Sequence, residues 1–182
     1  MTRLNQLSAP INKLEAARRQ VDCAIRIYCQ GEEILAVHAL AYAALSVLTS
    51  YDRATNNGSM WAKVMRDEPC TWSRDIANFL KHADRDPDRE IPQFPDIVPE
   101  FVLHMCARIY GELTGDLTKE MELISFLITL KQKWDKEAEE EREEWDLYYD
   151  EERMLDAAHA AHLRSKALRD YGNDVLSGKR AF

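Results

Sequence analysis

The sequence predicts an all-α fold: a helical bundle of five to six helices with a projecting acidic C-terminal helix. Three observations carry this. Glycine and proline are scarce, six of each in 182 residues, which disfavours a turn-rich sheet protein. Hydrophobic residues make up 46%, enough for a core. Apolar positions recur at three- and four-residue spacing through most of the chain up to Leu130, the period of a helix with one buried face.

Residues 1–11 read as an arm, with Ser8-Ala9-Pro10 as a helix-start signal. From Asn12 onward, Leu14, Ala17, Val21, Ile25 and Tyr28 form one apolar stripe, and Gly31 is placed to cap its C-terminal end. Glu32-Glu33 opens a second helix, apolar on most faces from Ile34 to Leu48 and therefore expected at the centre of the bundle. The run from Thr55 to Ser59 breaks it. Residues 60–71 suggest a short helix with Trp61 and Met65 inward. A third main helix runs from Thr71–Ser73 to about Ala83. Pro87, Pro92, Pro95 and Pro99 then hold the chain extended, because proline cannot continue a helix. Pro99 suits the first residue of the next helix, striped by Phe101, Val102, Met105, Ile109 and Leu113 and closed by Gly115. Asp116-Leu117-Thr118 starts another, striped by Met121, Ile124, Leu127 and Ile128. No break is evident between Lys131 and Tyr171, and the tail from Gly172 reads as loose.

The net charge of −8 hides a strong asymmetry. Residues 135–152 hold eleven acids and two bases, a net of −9, so the rest of the chain comes to about +1. The division that follows is a bundle domain over 1–134 and a charged helical extension and tail over 135–182. A neutral body is not the footprint of a general nucleic-acid binder, and the acidic segment suits a basic protein partner. The first thirty residues contain no continuous apolar stretch of a signal peptide, and no uninterrupted apolar run approaches the ~20 residues of a membrane span, so a cytoplasmic protein is expected. Cys23, Cys29, Cys70 and Cys106 form no C-x-x-C pair and read as structural thiols rather than zinc ligands or disulfides.

The stretches "KLEAARRQVDCAIRIY", "AVHALAYAAL" and above all "NFLKHADRDPD" resemble a family of small bacterial helical proteins that are HEPN-like. The resemblance spans Lys13 to about Gly115 and leaves the acidic segment outside. It implies a helical bundle that dimerises. It also implies, for many members, metal-independent ribonuclease chemistry on an Arg and a His separated by four to six residues, in toxins or defence factors. Here Arg74 and His82 have seven residues between them and depart from that motif. Arg153 and His159 have five, but lie beyond the resembling part. The resemblance therefore bears on fold more than on activity.

The candidate site is the polar end of the third main helix. Asn78 and His82 are four apart and share a helix face. As candidate catalytic residues, His82 would act as general base beside Asn78, with Lys81 and Arg74 as cations. As candidate binding residues, Asp84 or Asp86 would fix the His82 tautomer, and Arg85, or else Lys81, would face a phosphate. Against this, Asp, Asn and Pro are ordinary turn residues, and such a cluster can simply lock a helix exit by hydrogen bonds. His38, alone in the most apolar helix, joins the candidate binding set if it meets His82 in space. Asp84, Asp86 and Asp88 have the first spacings of a calcium loop, but Arg89 stands where that loop needs glycine and Pro95 where it needs glutamate. His159 and His162, with Asp156, lack a fourth ligand. No metal and no cofactor are therefore expected, and no phosphate loop, serine triad or placed cysteine nucleophile occurs. The sequence reading is a dimeric binding or interaction protein, with ribonuclease activity as its rival.

Overall fold

The structure is a computed structural model. It describes residues 10–67, 71–82, 84, 87–91, 94, 97–143 and 151–181, with the backbone alone at 72, 137–143, 151–162 and 164. The described residues form seven helices and no strand: α1 Lys13–Gln30, α2 Ile34–Thr55, α3 Met60–Asp67, α4 Thr71–Lys81, α5 Ile97–Thr114, α6 Lys119–Glu143 and α7 Glu151–Leu176. The all-α bundle is as expected; the count exceeds five to six because the short helix at 60 forms and the last stretch divides in two.

Local chemistry sets most boundaries. Asn12 caps α1, its side chain accepting the Glu15 N–H at 2.8 Å. Gly31 ends α1 at φ +71°, its N–H on the Tyr28 carbonyl while Glu32 N–H reaches back to Ile27. Asn56, left-handed at φ +51°, ends α2. Ser59 starts α3 by accepting the Ala62 N–H at 3.0 Å. Thr118 does the same for α6 through the Met121 N–H. α5 begins at Ile97, two residues ahead of Pro99. The proline thus sits in the first turn, where its missing N–H costs no helical bond.

α1 and α2 form the most extensive pair, α2 continues onto α5, and α5 turns into α6. α3 and α4 lie across α2 and α5. Ile25, Leu48, Leu103, Ile109, Met121, Leu123 and Ile124 are all but fully buried in one core. Each such side chain is worth roughly 1.5–3 kcal/mol in burial. By length and composition α2 could cross a membrane; here it packs between α1 and α5 and buries His38 and Asp52.

The C-terminal part differs from expectation. The expected single helix from Lys131 to Tyr171 is two: α6 is described to Glu143, residues 144–150 are outside the described set, and α7 is described from Glu151 and returns along α6. Phe126 of α6 meets Tyr171 of α7 at 5.9 Å between ring centroids, so early α6 lies beside late α7 and the two run antiparallel. Late α7 packs on α1, with Ser165, Leu168 and Gly172 buried. Residues 172–176 therefore belong to α7 rather than to a loose tail. Leu168 belongs to the same core as Ile25, and a boundary at 134/135 does not mark where packing ends. The acidic run enters α6 as expected, and Trp134 still packs on the core.

Candidate functional site

α4 buries Ser73, Ile76 and Ala77 and leaves Arg74, Asn78 and Lys81 exposed. Spacings of four and three put those three on one face. His82 follows directly, half-buried, and its backbone N–H still donates to the Asn78 carbonyl at 3.0 Å. Arg74, Asn78 and Lys81 thus form one exposed polar ridge, with His82 just past its end. That backbone bond is the only hydrogen bond of His82 to another described residue. Asp84 and Asp88 are exposed, and Arg85 and Asp86 lie outside the described residues, as does Cys70. Arg153, His159 and His162 fall on α7 where side chains are not described.

His38 lies under this ridge. It is fully buried on α2, and its Nε2 meets the Ser73 carbonyl at 3.0 Å. A carbonyl only accepts, so Nε2 carries the proton and Nδ1 is left as a bare acceptor. Among the described residues Nδ1 has no partner, and neither has the buried Ser73 hydroxyl. Phe94 stands edge-on to the imidazole at 5.3 Å, and Tyr42 lies tilted against it at 5.9 Å. The Lys81 ammonium lies 5.5 Å from the centre of the Tyr42 ring. Burial pushes the His38 pKa down, against the opposing pull of the Ser73 carbonyl. The structure therefore brings His38 and Lys81 together around Tyr42. A sealed imidazole cannot reach a bound polymer in this arrangement; the ridge above can.

Three buried ionic groups escaped the sequence reading. Glu100, 4% exposed, accepts from the Tyr28 hydroxyl at 2.6 Å and from Lys131 at 2.5 Å. The Arg169 guanidinium sits 5.9 Å from the Tyr28 ring centre, so α1, α5, α6 and α7 all meet there. Burial, and then the Glu100 carboxylate, push the Tyr28 pKa up. Asp22 accepts from Thr118 at 2.6 Å and pairs with Arg18, and burial raises its pKa. Asp52 accepts the Ser59 N–H at 2.8 Å and pairs with Arg66 at 2.7 Å. Glu100 reads from sequence as a first-turn acid, which favours a helix N-terminus without burial. Its spacing to Leu103 and Ala107, both buried, was the available signal. The thiols are free where described: Cys29 and Cys106 are buried, and burial pushes Cys29 up to about 12. No metal-competent cluster of His, Cys, Asp or Glu occurs among the described residues.

The chain matches no protein-family model, and neither the curated proteins nor the solved structures give a significant match.

Proposed function

We propose that the chain is a binding or interaction protein: a cytoplasmic homodimer with a HEPN-like bundle that holds a small anion on the α4 ridge. The observation that carries this is the alignment of Arg74, Asn78 and Lys81 on one exposed helix face. Two cations flank an amide there, donors suited to phosphate-type oxygens. Dimerisation draws support from Ile97 and Phe101, four apart on α5 and 58% and 42% exposed. The acidic 135–152 stretch serves a basic protein partner in this reading and keeps nucleic acid away from that end.

The rival reading is a metal-independent ribonuclease of the toxin or defence type, with His82 as base. It draws support from His82 standing at the end of the same ridge, four residues from Asn78. One experiment separates the two. Wild-type protein and His82→Ala are incubated with structured and unstructured RNA in a chelator, and their masses are measured by light scattering at micromolar concentration. The binding reading expects a dimer and no cleavage by either protein. Cleavage by the wild type that His82→Ala abolishes establishes the rival. A clean monomer removes the dimer from both.

A further inference from the structure

We propose that His38 is an acid-sensitive latch: as a neutral imidazole it holds α4 against α2, and its protonation releases α4. The contact is built around one tautomer. Nε2–H is spent on the Ser73 carbonyl in the first turn of α4, and Nδ1 is buried with no partner among the described residues. A second proton on Nδ1 would be a donor without an acceptor and a charge without a counterion, both expensive in an interior.

The surroundings do not offset that charge. α4 contributes Ser73 and Lys81, and Lys81 is itself a cation lying on Tyr42. The segment before α5 contributes Phe94, α2 contributes Tyr42, and the nearby α5 thiol of Cys106 donates to the Ala41 carbonyl. No described carboxylate acts on the ring; burial dominates and pushes its pKa down. The sign follows. A group with a depressed folded pKa that gains charge on protonation stabilises the closed form at high pH. That contribution falls as pH drops through about 6.5, where an exposed imidazole titrates. α4 is suited to yield first: it buries only Ser73, Ile76 and Ala77 among its described side chains and packs on α2 and α5 alone. Opening would uncover that apolar face and reorient the Arg74–Lys81 ridge.

The test is hydrogen exchange of peptides covering 71–81, corrected for intrinsic pH dependence, at pH 8 and pH 5, in wild type and His38→Gln. Glutamine can still donate one N–H to the Ser73 carbonyl but does not titrate. Wild-type α4 should lose about tenfold or more in protection at pH 5, against a ceiling of about thirtyfold for an exposed imidazole of pKa ~6.5. Peptides of α1 should change little, and His38→Gln should stay flat within about twofold. His104, the other imidazole that burial and Arg108 hold down, is present in both proteins and cancels. Should His38→Gln fail to fold, nitrogen NMR of the wild-type ring decides. An imidazole that stays neutral until α4 protection falls supports the latch. Equal loss in both proteins, no loss in the wild type, or a ring that charges near pH 6.5 while α4 stays protected overturns it.

Discussion

Replacing Gly172 by alanine sets two known effects against each other. In an exposed helix the change favours folding by about 1 kcal/mol, because alanine is the best helix former and glycine among the worst. In α7 the new methyl would lie 2.6 Å from Cys29 Sγ, 3.1 Å from Leu127 Cδ1 and 3.5 Å from Cys29 Cβ. Ordinary carbon–carbon contacts lie at about 3.5–4.0 Å, so the overlap with the sulfur is roughly 1 Å. Neither neighbour has room to retreat: Cys29 and Leu127 are each 2% exposed. Overpacking of this kind costs about 1–3 kcal/mol. The clash should therefore at least cancel the helix gain, leaving a net loss of up to about 2 kcal/mol and a melting temperature lower by up to several degrees. Urea denaturation followed by circular dichroism measures it. In a Cys29→Ala background the sulfur is gone, and the same change should become neutral or slightly favourable, a coupling that a double-mutant cycle reads directly. A single Gly172→Ala protein that is more stable than wild type would show that α7 does not lie against α1 in this register.

Lys131→Met should cost about 3 kcal/mol in the same assay, since it strands the buried Glu100 carboxylate with only Tyr28 as hydrogen-bond partner; a loss below about 1 kcal/mol would mean the group is solvated. Asp52 is raised by burial but brought below its ordinary value by Arg66 and the Ser59 N–H, so its contribution is present above pH ~4 and lost as pH falls further. Asp52→Asn should flatten that part of the stability–pH curve. Truncation after Trp134, expected from sequence alone to leave the body intact, should instead unfold it or lower its melting temperature sharply, because Leu168 and Gly172 leave the core.

The parts legible in the sequence are those whose signal is local. Gly31 and Gly115 both adopt positive φ where chain reversal was expected, and the apolar density of Ile34–Leu48 placed α2 at the centre. Late α7 was hard to read because two of its three buried positions, Ser165 and Gly172, are small and polar or lack a side chain, leaving Leu168 as the single apolar one. A close backbone approach at Gly172 interrupts the stripe that Leu168, Tyr171 and Val175 form, and the charged run before it hides where that stripe begins. His38 was visible as an oddity, but its meaning depends on Ser73 and Phe94, distant in sequence and supplied only by the fold.

The return of α7 onto α1 also orders events in time. α1 and α2 are neighbours in sequence and can pair as soon as both exist, in the fast regime of local contacts. The other side of α1, carrying Tyr28 and Cys29, is covered by a helix about 140 residues later, where Arg169 and Gly172 arrive. A chain emerging from the ribosome therefore presents a half-finished bundle with an apolar flank for most of its synthesis. At ~5–20 residues per second that interval lasts roughly 7 to 30 seconds. During it a second nascent copy, offering its own α7, would compete for the vacant flank, so exchange of the last helix between chains is the misassembly this topology invites.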